Sequence, residues 1–122
     1  MSELSFDTNI IVDALHQRPK AWAELQRVSR AWISRMTWIE VLAGVPETAR
    51  SETEEFLRLF GLSEIDEEVA RRAAALRHQR RGLKVPDAII FASAQVRGRI
   101  LVTRNTKDFP PNMPGIRVPY IL

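Results

Sequence analysis

Residues 85–109, "VPDAIIFASAQVRGRILVTRNTKDF", contain the two elements that decide the fold. Pro86 is placed for the first position of a helix and Gly98 for its end, and the residues between them are apolar nearly all round. Such a helix is expected to be buried. The run "RILVT" (99–103) follows at once and predicts a strand. A buried helix that leads directly into a strand indicates helices covering a sheet, which is the α/β class.

The rest of the chain repeats this alternation. Further strands are predicted at "ELSF" (3–6), "AWIS" (31–34), "LSEI" (62–65) and "RVPYI" (117–121). Further helices are predicted at 9–16, 19–29, 34–45, 47–61 and 66–82. Because no linker, repeat or low-complexity segment interrupts the pattern, residues 1–122 are expected to form a single domain, an α/β sandwich on a mostly parallel sheet.

The composition excludes several classes of site. There is no cysteine, so a disulfide framework, a thiolate metal site and a cysteine nucleophile are all ruled out. His16 and His78 are too few for a multi-histidine metal site. The longest apolar run, "AIIFASA", is far shorter than the roughly 20 residues that span a bilayer, and Glu3 and Asp7 stand where a signal peptide needs an apolar core. A cytoplasmic protein with no membrane contact is therefore expected.

The charge pattern allows two interpretations. The net charge is +3, and basic residues are concentrated at 71–84 and 97–107. A basic surface favours an anionic partner such as nucleic acid. Arginines in the last turns of helices that complement the helix dipole explain the same pattern without any partner.

Four acids occupy positions where an α/β fold can gather them. Asp7 follows the first strand, Asp108 follows "RILVT", Asp87 begins the buried helix, and Glu40 lies in the apolar stretch "MTWIEVLAG". Ligands of parallel sheets bind at the carboxyl ends of the strands, so we expect these acids at one edge of the sheet.

Each of these acids also has a purely structural explanation. Asp7 could cap a helix, Asp87 could complement a helix dipole, Glu40 could face solvent, and Asp108 could form an Asx-type turn. Four further acids are predicted to be ordinary surface residues: Asp13, Glu54, Glu55 and Asp66. The aromatic residues of the N-terminal half are predicted to be mostly core, with the remainder available to anchor a partner helix: Trp22, Trp32, Trp38, Phe56 and Phe60.

As a set, the four acids predict a cation site. Carboxylates gathered in one cleft repel each other and resist desolvation, so they need a positive charge to be stable there. A set of oxygen ligands without histidine or cysteine suits Mg²⁺ or Mn²⁺. Such a site is suited to hydrolysis of a phosphodiester, and a basic rim would attract that substrate.

Three segments together resemble PIN-domain ribonucleases, and most closely the VapC toxins of bacterial toxin–antitoxin pairs. The segments are "FDTNIIVD" (6–13), "ISRMTWIEVLAG" (33–44) and the block 85–109, and the resemblance extends from residue 4 to about 120. It implies a three-layer α/β/α sandwich with a parallel sheet. It also implies an Mg²⁺- or Mn²⁺-dependent RNA endonuclease that is usually a homodimer and is held inactive by a cognate antitoxin.

The resemblance assigns roles to particular residues. Asp7, Glu40 and Asp87 fall on the three most regular acidic positions of the family, and Asn9 and Thr103 match polar positions that support the metal site. Water would attack the scissile phosphate in line and leave a 3′-hydroxyl and a 5′-phosphate.

The fourth acidic position departs from the family pattern. Many members have an aspartate where this chain has Asn105, and Asp108 could supply the missing charge. We therefore expect a strong metal site at Asp7 and Asp87 and a second site that is weak or forms only with RNA. Asp108 or Glu40 could accept the proton of the attacking water. Arg104 and Lys107 are candidates for RNA-backbone contacts, with plain surface charge as the alternative.

Two other functions stay open from the sequence. A phosphatase with an aspartate nucleophile usually has a second aspartate two residues further on, where this chain has Asn9. A PIN-like module that has lost activity and only pairs with a protein or RNA partner is the other alternative, and Asn105 keeps it open.

Overall fold

The computed structural model describes residues 3–121. Within this range the strands are β1 (Leu4–Phe6), β2 (Trp32–Ser34), β3 (Gly61–Ser63), β4 (Ile100–Val102) and β5 (Ile116–Arg117). The helices are α1 (Thr8–Leu15), α2 (Pro19–Leu25), α3 (Arg35–Ala43), α4 (Arg50–Leu57), α5 (Glu67–Gln79) and α6 (Val85–Val96), with a 3-10 turn at Glu47–Ala49 before α4.

The five strands form one sheet in the order β3-β2-β1-β4-β5, and every pairing is parallel. Successive side chains of a strand point to opposite faces of the sheet. Phe6 and Ile33 accordingly pack with α1 to α4 in one hydrophobic core, while Leu101 and Ile116 pack with α5 and α6 in a second one. Helices cover both faces, so the predicted three-layer α/β/α sandwich with a parallel sheet is confirmed.

Helix α6 is buried, as its apolar sequence predicts. Residues 90–94 are all buried, and the Ser93 hydroxyl among them donates to the Ile89 carbonyl oxygen at 2.8 Å. The helix begins at Val85, so Pro86 occupies its second position rather than the first. Asp87 is therefore fixed in the first turn of a helix that cannot shift without disrupting the core.

Several predicted boundaries are wrong, and three predicted elements extend four residues too far at their carboxyl ends. The last strand is Ile116–Arg117 rather than 117–121, because Pro119 has no N–H to donate to a sheet. The helix predicted at 47–61 ends at Leu57, since the Gly61 N–H pairs with the Ala31 carbonyl oxygen at 2.8 Å and begins β3. The helix predicted at 19–29 ends at Leu25, where the chain turns toward β2.

The predictions for the aromatic residues and the surface acids hold in part. Several aromatic side chains are partly buried and pack against the first core: Trp22, Trp38, Phe56 and Phe60. Asp66 and Glu55 are exposed, as predicted. Asp13 is not a surface residue, because only 2% of it is exposed and its carboxylate is paired inside the protein. Within residues 3–121, no helix has the length and apolar character needed to cross a bilayer.

Gly61 is required by the indole of Trp32. A Cβ at position 61 would lie 2.5 Å from Cε3 of Trp32, well inside contact distance. The ring has little freedom to move away, because the guanidinium groups of Arg99 and Arg30 lie 3.7 Å and 4.7 Å from its centroid. Gly61→Ala is therefore expected to lower the free energy of unfolding by about 1–3 kcal/mol through overpacking.

Urea unfolding followed by tryptophan fluorescence measures this effect. Gly82→Ala is the matched control, since a Cβ at position 82 meets nothing within 4 Å. We expect that control to change the free energy of unfolding by less than about 0.5 kcal/mol. Equal losses in the two variants would contradict the steric explanation.

Candidate active site

Asp7 caps α1 and also faces the end of β4. Its backbone is extended (φ −69°, ψ 158°), and its Oδ1 accepts a hydrogen bond from the Thr8 N–H at 2.7 Å. Its Oδ2 accepts a hydrogen bond from the Thr103 hydroxyl, also at 2.7 Å, and only 4% of the residue is exposed. Asp7 thus caps α1, one of the explanations that the sequence offered, and it also lies at the end of a parallel strand, where ligands of such sheets bind.

Glu40 faces this site rather than solvent. It is half-buried on α3, and its Oε1 accepts a hydrogen bond from the Thr8 hydroxyl at 2.6 Å. The Thr8 hydroxyl also lies 3.1 Å from the Thr37 hydroxyl. Thr8 and Thr37 are functional candidates that the sequence reasoning missed. The position of Thr8 between Asp7 and Asn9 was the available signal.

Asn9 and Thr103, the predicted supporting polar residues, lie at the ends of β1 and β4 and contact each other. The Asn9 amide nitrogen lies 3.3 Å from the Thr103 hydroxyl oxygen and 3.4 Å from Oδ2 of Asp7. The side-chain Oδ1 of Asn9 accepts a hydrogen bond from the backbone N–H of Arg104 at 3.3 Å. These contacts hold the Asp7 carboxylate against β4.

The four candidate acids share one electrostatic environment. The pKa of Asp7 is raised to about 6; burial is the largest cause, hydrogen bonds from Thr103 and Thr8 lower the pKa, and the negative charges of Asp87 and Glu40 raise it. Burial also raises the pKa of Asp87, followed by the negative charges of Asp108 and Glu40, while Lys84 lowers it. Asp87 therefore interacts with each of the other three acids.

Asn105 and Asp108 form a closed turn on the segment after β4. The side-chain Nδ2 of Asn105 donates to Oδ2 of Asp108 at 2.9 Å, and the side-chain Oδ1 of Asn105 accepts a hydrogen bond from the Asp108 N–H at 3.3 Å. Arg80 supports the same turn through a hydrogen bond to the Asp108 carbonyl oxygen. Asn105 thus orients Asp108, and the side-chain oxygen of Asn105 already accepts a hydrogen bond from the backbone.

The two basic candidates differ in their surroundings. Arg104 makes a bidentate pair with Asp13, with Nε and Nη2 at 2.7 Å and 2.9 Å from the carboxylate oxygens. Its charge is therefore already balanced inside the protein. Lys107 is exposed and directly precedes Asp108 in the chain.

A groove of about 590 Å³ lies beside Glu40, between α1, α3 and α4. Its lining is largely apolar and includes Val12, Val41 and the aromatic rings of Trp22 and Phe56. The two rings contact each other edge to face, with centroids 5.8 Å apart. The groove thus adjoins the acidic site at Glu40.

The donor set fits a hard divalent cation. Asp7, Glu40, Asp87 and Asp108 form no salt bridge with any residue of the described part of the chain. In that same range, no three histidine, cysteine or acidic side chains converge closely enough to enclose a metal by themselves. Mg²⁺ usually binds through one or two carboxylates and keeps several waters, so a preformed cage of three acids is not required. The fold and this site define an α/β protein with carboxylates near the carboxyl ends of its parallel strands.

Comparison with known proteins gives the family. The PIN domain family matches residues 5–110. Ribonuclease VapC19 of Mycobacterium tuberculosis is 31% identical, over 93% of this chain and 97% of its own length. A chain of a toxin–antitoxin complex from Klebsiella pneumoniae is 40% identical with a TM-score of 0.89, covering 99% of this chain and 100% of that one. A chain of DNA-bound VapBC from Salmonella typhimurium is 26% identical with a TM-score of 0.79, over 96% of both chains. This chain belongs to the PIN-domain family, in the group of the VapC ribonucleases.

Asp7→Asn is expected to stabilise the metal-free protein at neutral pH. Because the pKa of Asp7 is about 6 in the folded protein and 3.8 is its ordinary value, the folded state binds this proton more tightly than the unfolded chain does. That stabilisation is complete below pH 3.8 and is lost as the pH rises through 6, a change on the order of 3 kcal/mol.

Urea unfolding of both proteins in the presence of a chelator, from pH 4 to pH 8, tests this expectation. The advantage of the Asp7→Asn variant should grow across this range and level off above pH 7. A difference that does not vary with pH would contradict the assignment of a raised pKa to Asp7.

Proposed function

We propose that this chain is a divalent-metal-dependent endoribonuclease, the toxin of a toxin–antitoxin pair that is neutralised by a cognate antitoxin. The observation that carries the proposal is the buried Asp7 carboxylate, which has Asp87 and Glu40 beside it and no salt bridge to a basic side chain among residues 3–121. Membership of the VapC group supports the same function. The VapBC and other toxin–antitoxin complexes among the similar structures support the antitoxin as the partner.

Mg²⁺ or Mn²⁺ is the proposed cofactor, held by Asp7 and Asp87, with Glu40 and Asp108 contributing directly or through water. When bound, such an ion polarises the phosphoryl group, lowers the pKa of water and balances charge on the leaving oxygen. Thr103 and the Thr8 N–H hold the two Asp7 oxygens in fixed directions through their 2.7 Å hydrogen bonds. Asp7 is thereby oriented before any ion or substrate binds.

The remaining acids are suited to proton transfer. Glu40 or Asp108 accepts the proton of the attacking water, and cleavage leaves a 3′-hydroxyl and a 5′-phosphate. Lys107 is the better candidate for the RNA backbone, since it is exposed. Arg104 is less suited to that contact because its guanidinium is paired with Asp13.

The groove beside Glu40 has the lining that an apolar helix of a protein partner would require. Trp22 and Phe56 are rigid aromatic anchors of the kind that dominate such interfaces. We place the protein in the cytoplasm, where RNA and a newly made antitoxin would meet it. The homodimer and the single domain over residues 1–122 stay predictions.

The alternative is a PIN-like module that binds a protein or RNA partner without cleaving. The departure at Asn105 favours it, because many family members have a carboxylate at this position. The hydrogen bond from Asn105 to Asp108 supports the enzyme instead, since it directs an acid on the same segment toward Asp87. Metal-dependent cleavage separates the two functions.

Asp87→Asn is expected to abolish RNA cleavage, lowering the rate by at least about a thousandfold, while leaving the fold intact. The amide removes the charge that interacts with all three other acids but keeps the shape of the side chain. The measurement uses antitoxin-free protein mixed with total cellular RNA and Mg²⁺ or Mn²⁺, with mapping of the new 5′ ends.

Glu68→Gln is the matched control, because Glu68 also lies in the first turn of a helix and would complement its dipole equally well. The Glu68→Gln variant should cleave RNA like the wild type, and EDTA should abolish cleavage by both proteins. Cleavage by the Asp87→Asn variant would exclude the metal mechanism. Absence of cleavage by folded, metal-supplied wild type would favour the binding module.

In the absence of RNA, calorimetric titration with Mn²⁺ is expected to give one tight site per chain. The ligands of that site are Asp7 and Asp87, whereas Asp108 is held by Asn105 and Glu40 by Thr8. Asp87→Asn should remove the site. Two tight ions per chain would contradict the expectation of a second site that is weak or dependent on RNA.

A further inference from the structure

Asp13 lies in α1 and is one of the most thoroughly paired carboxylates of the protein. Its oxygens accept hydrogen bonds from Nε and Nη2 of Arg104 at 2.7 Å and 2.9 Å, and from the Tyr120 hydroxyl at 2.7 Å. Arg18 adds a longer contact of 3.8 Å. Burial opposes ionisation, but these hydrogen bonds and the charges of Arg104 and Arg18 outweigh it and hold the pKa of Asp13 below its usual value. Asp13 is therefore a buried anion whose partners are fixed.

Arg104 belongs to the 103–108 segment, which touches the candidate active site at both ends. At its start, the Thr103 hydroxyl binds Asp7, and the Arg104 N–H binds the Asn9 side chain. At its end, the segment carries Asp108. The Arg104 side chain ties this segment to α1, because its two hydrogen bonds reach Asp13 across 91 positions of the sequence.

We propose that Asp13 is a positioning residue of the nuclease site. Through its bidentate pair with Arg104 it fixes the 103–108 segment, and with it the Thr103 hydroxyl and the Asp108 carboxylate, relative to Asp7. The proposal rests on the proposed function of this site. It also assigns Arg104 to the scaffold of the site instead of the RNA surface.

The geometry explains why a charged pair suits this task. A bidentate guanidinium–carboxylate pair fixes both distance and direction, whereas a single hydrogen bond leaves rotation free. Displacing a positioned group by about 1 Å can cost on the order of a hundredfold in rate. Loss of the pair would therefore act on catalysis without removing any group that touches RNA.

The chain offers a matched control in Glu24 and Arg117. Glu24 is 7% exposed and accepts two hydrogen bonds from Arg117, both at 2.9 Å, which join α2 to β5. The contact of Arg117 with the 103–108 segment is made by its carbonyl oxygen, which accepts the Thr103 N–H at 3.0 Å in ordinary sheet pairing. Glu24→Gln thus breaks an ion pair of the same kind and burial without freeing the segment.

The experiment compares wild type with Asp13→Asn, Arg104→Gln and Glu24→Gln at a temperature where all are folded. Three measurements are made: amide hydrogen exchange of residues 103–108, the affinity for Mn²⁺, and the kinetics of RNA cleavage, which give kcat and KM. Asp13→Asn and Arg104→Gln should speed exchange, weaken Mn²⁺ binding and lower kcat by about 10- to 100-fold, with KM within about threefold. Glu24→Gln should leave all three unchanged, and the Asp13/Arg104 double variant should be no worse than either single one.

Unchanged exchange in Asp13→Asn, or an equal loss of kcat in Glu24→Gln, would overturn the positioning role. A rise in KM with kcat preserved in Arg104→Gln would overturn it too, because Arg104 would then be an RNA contact. If the wild type binds Mn²⁺ but cuts no RNA, the proposed function fails, and the exchange and affinity measurements still decide the role of Asp13. If Asp13→Asn does not fold, Arg104→Gln provides the same comparison.

Discussion

The hydrogen bond from the Thr103 hydroxyl to Oδ2 of Asp7 joins the carboxyl ends of the two central strands, β1 and β4. The Asp7 N–H adds a second connection, since it donates to the Val102 carbonyl oxygen at 2.9 Å. The positions of Thr8, Asn9 and Asp108 depend on this junction, because α1 starts from Asp7 and the 103–108 segment begins at Thr103. A parallel sheet brings strand ends together at one edge, so a carboxylate at the end of β1 lies where groups from other strands can reach it.

The same arrangement has an energetic cost. A buried carboxylate with other acids near it is less stable as an anion than in water, which is why the pKa values of Asp7 and Asp87 are raised. In a site built only for stability, a lysine or arginine would balance such a charge. Two arginines are used elsewhere, since Arg104 pairs with the buried Asp13 and Arg117 with the buried Glu24. The proposed divalent cation would balance the charge of Asp7 and Asp87.

The two ion pairs reduce the number of arginines that are available to an anionic partner. A net charge of +3 favours an anionic partner when it is read from the sequence alone. Arg104 and Arg117 contribute to that number, yet both are already paired: Arg104 holds the 103–108 segment against α1, and Arg117 joins β5 to α2. An arginine on a candidate catalytic segment can thus position that segment instead of binding the substrate. Exposure distinguishes the two roles, as the contrast with Lys107 illustrates.

The sequence by itself determined the alternation of strands and helices, the burial of α6 and the family, because local periodicity and short motifs carry that information. Tertiary structure alone decided that Glu40 binds Thr8 across 32 positions, that Asp13 meets Tyr120 across 107, and that the last strand ends before Pro119. The burial of Asp13 likewise could not be predicted from the sequence, because its partner Tyr120 is distant along the chain. Hydrophobic periodicity reports which face of an element is apolar, but the partner of a charged side chain depends on how distant elements pack, and no local pattern encodes that.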